Sequence, residues 1–177
     1  MTYTFTLNDL FFMAQGALIT FVLTITSGII GSTVGFFVGW ARTSNSKIFY
    51  YLLGLYIDII RSIPLILQFV LFNSFMAIAG YPMSPFFSGI LTLSVYISGY
   101  VAEVVKAGID SVPKVTRNSS RGLGMTYLQD FIFIVLPIGF RNVFPSWTGL
   151  MLGLMKDTSL IAVMGATPPE LLRSSQI

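Results

Sequence analysis

The residues of this sequence that could do chemistry are a few charges set among apolar stretches: Asp58, Arg61, Arg141, Lys156 and Asp157. A charge near the centre of a bilayer costs about 2.5 to 3.5 kcal/mol on insertion scales, so such residues are kept only where they are paired or hydrated. We therefore expect a polar pathway, with a cation receiving the anionic part of a solute and a carboxylate receiving an ammonium group. The alternative is that these residues pair with one another and only stabilise helix packing.

Catalytic chemistry is not indicated. The carboxylates Asp58, Glu103, Asp130 and Asp157 lie far apart in the sequence, without the paired spacing of acid–base or metal sites. Histidine and cysteine are absent, which removes the commonest general base and thiol chemistry. No segment resembles a phosphate-binding loop, so nucleotide energy would have to come from another chain. We expect no metal and no cofactor of its own, and an integral membrane enzyme is the least favoured class.

Composition indicates the medium in which these residues lie. The chain is 54% hydrophobic and 10% charged, with a mean hydropathy of +0.81, and uncharged runs of membrane-spanning length recur. This predicts an all-α, polytopic membrane protein with a single domain over residues 1–177. Four membrane helices are predicted, at about residues 16–40, 48–80, 86–107 and 131–155. The net charge of +3 is explained by loops on one side of a bilayer, so we expect no nucleic acid partner.

Local signals refine the first two helices. Gly28, Gly31, Gly35 and Gly39 are small residues at spacings of three and four, which predicts a face for close helix packing. The uncharged run 10–41 exceeds one bilayer thickness, so its first part is expected in the interface. In the second stretch Pro64 predicts a kink or break near residue 63. Asp58 and Arg61, three residues apart, are expected to neutralise one another.

The basic loops predict the orientation. Loop 42–47 carries two cations, and four Lys or Arg residues lie between positions 106 and 121, so the positive-inside rule places loops 42–47 and 111–127 in the cytoplasm. The N-terminus would then lie outside, and since the first nine residues contain no Lys or Arg, we expect no signal peptide. Glu103, Lys106 and Asp110 share one helix face near the inner end, where simple interfacial anchoring is an alternative to a functional role.

The segment 112–137 holds most of the polar residues between two apolar runs. Pro113 favours a helix start, Arg117 and Arg121 are one turn apart, and Gly122 and Gly124 leave a surface without side chains. This predicts a short helix in water, between the third and fourth membrane helices, on which a partner docks.

Four motifs in order carry a family resemblance. Residues 118–125, Asn-Ser-Ser-Arg-Gly-Leu-Gly-Met, followed by Leu136-Pro137, resemble the cytoplasmic loop of binding-protein-dependent ABC importer permeases, whose pattern begins Glu-Ala-Ala. Segments 61–65, 100–114 and 156–160 resemble further motifs of the permeases for polar amino acids: histidine, glutamate, glutamine, arginine and opines. The resemblance covers residues 16–177.

The resemblance implies partners and site residues. The loop would be the coupling helix, seated in a groove of a separate ATP-binding subunit that binds the ATP. An extracytoplasmic solute-binding protein, a second permease copy or homologue, and membrane lipid would complete the assembly in the bacterial inner membrane. The implied coupling residues are Asn118, Ser119, Ser120, Arg121, Gly122, Leu123 and Gly124. The solute path would be lined by Asp58, Arg61, Ser62, Gln68, Glu103, Lys156, Asp157, Thr158 and Ser159.

The sequence also departs from the family pattern. Asn118 stands in place of Glu, Ser119 and Ser120 in place of two Ala, and Ser62 and Ile63 in place of Gly-Thr. The ending 170–177 resembles the connector before a last membrane helix, so we expect a chain that lacks this helix. A truncated, non-transporting membrane protein or assembly partner, and a permease for another solute such as methionine or a peptide, are the alternatives.

Overall fold

The computed structural model describes residues 7–44 and 46–163, and these residues form helices without any β-strand. The helices are α1 (Leu7–Ala41), α2 (Lys47–Ser62), α3 (Leu65–Ile78), α4 (Pro85–Asp110), α5 (Lys114–Gly122), α6 (Tyr127–Asp130), a π-helical turn (Phe131–Val135) and α7 (Leu136–Val163). The predicted all-α class is confirmed.

Three segments are long and apolar enough to cross a membrane: Asp9–Ala41, Pro85–Asp110 and Tyr127–Ser159. The third of these, Tyr127–Ser159, is called the last span. The pair α2 and α3, bent by 102°, counts as a fourth when taken together. The four predicted helices are thus found, with α1 beginning before residue 16 and the last span continuing beyond residue 155. Helix α1 begins at Leu7 because nothing in the first turns breaks a helix, and α7 continues past residue 155 because charged side chains do not end one.

The predicted break near residue 63 is confirmed. Ile63 has an extended backbone, and Pro64 supplies no amide hydrogen to the carbonyl one turn before it. The side chain of Gln68 replaces the missing donor: its Nε2 donates to the carbonyls of Ile60 at 2.7 Å and Ile63 at 2.8 Å. A half-buried amide thereby satisfies two backbone groups that the break leaves open.

Glycines of α1 let it approach α4 closely, as predicted. A Cβ on Gly31 would lie 2.6 Å from the carbonyl oxygen of Ser94, and one on Gly39 would lie 2.5 Å from that of Ala102. Because the contacts advance in the same order along both helices, α1 and α4 run parallel. The chain must therefore return between them, which means that α2 and α3 cross the bundle together.

The last span runs antiparallel to both of these helices. A Cβ on Gly139 would lie 3.0 Å from the carbonyl oxygen of Gly108, and the Trp147 indole donates to the Ser32 hydroxyl at 3.1 Å. The rings of Trp40 and Phe131 lie 5.6 Å apart where α1 ends and the last span begins. Loops 42–47 and 111–127 thus lie at the same end of the bundle, as the sequence predicted.

Buried side chains form two clusters along this bundle. The larger one joins α3, α4 and α7 through Leu65, Leu93, Ile97 and Leu154 among others. The second lies beneath α5 and includes Val112, Phe131 and Val135. The outward faces of α1 and α2 are apolar and exposed, as a helix facing lipid requires.

Candidate coupling surface and solute path

Helix α5 presents a polar face to the outside at the end of the bundle. Asn118, Ser119 and Gly122 are exposed on it, and Arg121 is exposed on its flank. Leu123 follows at the helix end with 84% of its side chain exposed, which is a large apolar group to leave in water. A Cβ added to Gly122 would meet nothing within 4 Å. Gly122 therefore leaves open space on the surface where a partner was predicted to dock.

The second glycine of the predicted docking pair ends the helix. Gly124 has a φ of +89°, and its amide donates to the Arg121 carbonyl at 3.0 Å. The amide of Met125 donates to the Ser120 carbonyl at 3.2 Å. These two bonds form a Schellman motif, in which the residue with positive φ is usually glycine. Gly124 is thus explained by the backbone turn that follows α5.

The turn leads directly into a capped helix start. The Thr126 hydroxyl accepts from the Gln129 amide at 3.3 Å, and the Gln129 side chain accepts from the Thr126 amide at 2.9 Å. This capping box begins the last span at Tyr127. It places Asp130 in the first turn, facing the underside of α5.

Asp130 fastens α5 to the last span. Its side chain is fully buried, and it accepts hydrogen bonds from the Ser120 hydroxyl at 2.5 Å and from Nε of Arg117 at 3.3 Å. A buried carboxylate is stable only when such donors compensate for lost hydration. Ser120, one of the implied coupling residues, does not lie on the exposed face of α5, because its side chain is buried against Asp130. Ser120 supplies a hydroxyl that the Ala of the family pattern lacks.

Sequence reasoning did not assign Asp130 or Arg117 a role. The available signal was a carboxylate in the first turn of an apolar helix, ten residues after a serine at a position where the family pattern has alanine. The contact between Ser120 and Asp130 could not be predicted from their separation in sequence, because it depends on the turn at Gly124 that brings the two segments together.

Arg61 is exposed at the end of α2 and lies against aromatic side chains of α4. Its guanidinium lies 5.2 Å from the ring centre of Tyr100, and the rings of Tyr100 and Tyr96 are 5.0 Å apart. Arg61 thus faces a pair of neighbouring tyrosines on α4.

The predicted neutralisation of Asp58 by Arg61 is wrong. Within the part of the chain that the structure describes, the two side chains form no ion pair. Asp58 is exposed on α2, as is Ser62 at the end of the same helix. The arginine turns toward Tyr100 instead, because a neighbouring helix offers it an aromatic face. The structure does not bring Asp58 or Ser62 into contact with the other path residues.

Glu103 is held by the first loop. It forms an ion pair with Arg42, whose side chain is 12% exposed and whose guanidinium lies 5.1 Å from the Tyr50 ring centre. Lys106 and Asp110, on the same face of α4, pair with each other at 2.6 Å. Glu103 thus joins α4 to the end of α1, and its place on a solute path stays a prediction.

The segment 156–159 lies inside α7. Lys156 is exposed and Asp157 half-buried, while Thr158 is fully buried. The hydroxyls of Thr158 and Ser159 donate to carbonyls within the helix, at 2.7 and 2.6 Å. The predicted connector at residues 170–177 lies outside the described residues.

Comparison with known proteins identifies the family. The family described as the binding-protein-dependent transport system inner membrane component matches residues 31–176. The chain belongs to this family. Its members are multi-pass permease components of the inner membrane and not catalytic enzymes.

The relatives of the chain include amino acid permeases. The L-cystine transport system permease protein TcyB of Bacillus subtilis is 31% identical over 165 residues, covering 93% of this chain and 69% of the relative. The arginine transport system permease protein ArtQ of the same organism is 25% identical, covering 93% and 76%. The glutamine transport system permease protein GlnP of Escherichia coli K12 is 27% identical, covering 93% and 75%.

Solved structures agree with the fold. A crystal structure of an amino acid ABC transporter with histidines aligns with a TM-score of 0.82 at 27% identity, covering 93% of this chain and 78% of that one. An inward-facing MetNI methionine ABC transporter aligns with a TM-score of 0.80 at 22% identity, covering 92% and 78%, and supports the fold alone.

Proposed function

We propose that this family member is the permease subunit of an ATP-driven importer that carries a polar amino acid across the bacterial cytoplasmic membrane. The relatives named for arginine, glutamine and cystine support this solute class. The observation that carries the proposal is the exposed face of α5, which is joined through Ser120 and Arg117 to the buried Asp130. A short surface helix fixed in this way can transmit a displacement to the last span.

The assembly follows from this arrangement. A separate ATP-binding subunit, which hydrolyses the ATP, docks on α5 at Gly122 and Leu123, and a second permease copy or homologue completes the membrane part. A solute-binding protein delivers the amino acid at the opposite end of the bundle. By the positive-inside rule, loops 42–47 and 111–127 lie in the cytoplasm and the N-terminus lies outside.

The solute path runs past the tyrosines of α4. Arg61 receives the carboxylate of the amino acid, and Asp157 receives an ammonium group. Arg61 lies beside Tyr100, which neighbours Tyr96, and the hydroxyls of these tyrosines offer further hydrogen bonds to a zwitterion. Displacement of the last span by α5 moves Asp157 relative to α4. This motion opens the path alternately to the two sides of the membrane.

Gly122→Trp tests the docking surface. Open space surrounds this glycine, so the substitution leaves the helix intact while it fills the surface. In proteoliposomes with the ATP-binding subunit and the solute-binding protein, we expect at least a tenfold loss of stimulated ATPase activity and uptake. The matched control is Gly16→Trp, at another glycine of the chain without close neighbours, and we expect wild-type activity. Wild-type coupling in Gly122→Trp would exclude this surface.

Asp157→Asn tests the path, with Asp58→Asn as the control of identical chemistry. Asp157 is half-buried in α7 whereas Asp58 is exposed on α2. We expect Asp157→Asn to lower uptake of lysine, glutamine and glutamate alike, since all three carry the α-ammonium group. A larger loss in Asp58→Asn would place the path along α2 instead.

A further inference from the structure

A cavity of about 560 Å³ lies between the first loop and one flank of α5. The residues that face it include two arginines, three aromatic side chains and two small hydroxyl side chains: Arg117, Arg121, Trp40, Phe49, Tyr127, Thr43 and Ser44. None of the described residues that line it is an aspartate or glutamate.

The cavity carries an uncompensated positive charge. Arg117 is engaged through Nε by Asp130, which leaves the other guanidinium nitrogens free to face the cavity. Arg121 lies one turn further on the same flank and forms no ion pair among the described residues. Two guanidinium groups one turn apart match the oxygen atoms of a phosphate, which arginine binds through two parallel hydrogen bonds.

The surroundings of the cavity are those of a membrane interface. Trp40 and Tyr127 are residue types that concentrate at the level of lipid headgroups. Next to them begins α2, which leads into the bundle with an apolar face. Ile48, Phe49 and Leu52 on that face are 77%, 54% and 60% exposed. A lipid whose headgroup occupies the cavity would lay its acyl chains along these side chains.

A protein partner is less well matched to this flank. The face of α5 that carries Asn118 and Gly122 lies to the side of the arginine flank, since residues one turn apart share a face. A docking subunit can use that face while the cavity stays open toward the apolar surface of α2.

We propose that this cavity binds the headgroup of an anionic phospholipid, with the phosphate between Arg117 and Arg121. The bound lipid neutralises the free charge of Arg121 on this flank of α5. It also fills the space between α5 and the first loop.

Native mass spectrometry of the full chain, purified in neutral detergent, measures this binding directly. With added phosphatidylglycerol we expect a retained one-to-one complex, and with phosphatidylcholine a much smaller fraction. Arg121→Gln should lower the bound fraction about fivefold, which corresponds to about 1 kcal/mol for one basic residue near anionic lipid. Lys114→Gln removes the same charge from the same helix but outside the cavity, and should leave the bound fraction unchanged.

Several results would overturn the proposal. Equal retention of phosphatidylcholine would exclude headgroup recognition. An equal loss of bound phosphatidylglycerol in Arg121→Gln and Lys114→Gln would show that binding depends only on the net charge of the chain. Displacement of the lipid by millimolar inorganic phosphate would identify a site for a free anion. Weaker binding of an ATP-binding subunit to Arg121→Gln, with lipid retention unchanged, would assign the cavity to a protein partner.

A fluorescence measurement distinguishes loss of lipid binding from misfolding of a variant. Trp147→Phe leaves Trp40 as the only tryptophan, because the chain has two. In vesicles, brominated phosphatidylglycerol should then quench Trp40 more strongly than brominated phosphatidylcholine at the same mole fraction. Adding Arg121→Gln should remove this difference while far-UV circular dichroism stays that of the parent. Equal quenching by both lipids in the parent would contradict a headgroup site.

Discussion

Replacing Ser120 by Ala should release α5 from the last span without disturbing the rest of the bundle. The Ser120 hydroxyl donates to the buried Asp130 at 2.5 Å, and α5 has nine residues. An isolated helix of this length is marginal in water. The contacts with the last span therefore decide whether α5 stays formed and in place.

The size of the effect follows from two opposing terms. A hydrogen bond to a charged group contributes about 1.5 to 3 kcal/mol, and its loss leaves Asp130 with Arg117 alone. Alanine favours a helix over serine by about 0.5 kcal/mol, which offsets part of this loss. The free energy of local opening of α5 should fall by about 1 to 2.5 kcal/mol. Amide exchange in α5 should then be about five to seventy times faster.

Hydrogen exchange read by mass spectrometry on peptides from α5 measures this opening. The control is Ser119→Ala, the same substitution at the neighbouring exposed residue, where exchange should stay equal or become slower. In an Asp130→Ala background, Ser120→Ala should cause no further acceleration. If Ser120→Ala slows exchange as helix propensity alone predicts, Asp130 does not hold α5 and the reasoning fails.

Three further predictions concern the bundle. Gly35→Ala places a Cβ 2.8 Å from a carbonyl oxygen of α4, so it should destabilise the chain by about 1 to 3 kcal/mol. The control is Gly149→Ala, at a glycine in open space, which should leave the thermal unfolding temperature unchanged or higher. Equal unfolding temperatures for both variants would contradict the close approach of α1 to α4. Gln68→Leu leaves two carbonyls at the break without donors, which should lower the free energy of unfolding by about 1 to 3 kcal/mol for each carbonyl and so lower the unfolding temperature. An unchanged unfolding temperature would show that water replaces the amide. Arg42→Gln should lower that temperature more than the double variant with Glu103→Gln, because the single variant leaves a carboxylate unpaired. Additive losses would refute this coupling.

The parts of the fold that could be predicted depend on local chemistry. The break at Pro64 could be predicted because proline itself lacks the amide hydrogen that the carbonyl one turn earlier needs. The glycines of α1 predict close packing for a similar reason, since only an absent Cβ permits it. The place of α5 could be predicted from an abrupt change of polarity between two apolar runs.

The side-chain partners could not be predicted, because each depends on the arrangement of distant segments. A spacing of three residues permits Asp58 and Arg61 to pair, yet Tyr100 on another helix binds the arginine. Asp130 and Ser120 meet only because the chain turns at Gly124 with a φ of +89°. The sequence shows which residues can interact, and the tertiary contact selects among them.

The π-helical turn between Asp130 and the rest of the last span changes its angular register. In an uninterrupted α-helix, Asp130 and Asp157 would be separated by about seven and a half turns and would point in opposite directions. A π turn accommodates one extra residue, which removes about 100° of rotation beyond it. The two carboxylates then point within about 80° of each other, so that one helix directs both toward the bundle. Because the π turn holds this extra residue, deleting one residue from Phe131–Val135 would restore α-helical geometry and keep Asp157 in the same orientation, whereas inserting one residue into regular helix beyond it would rotate Asp157 by about 100°.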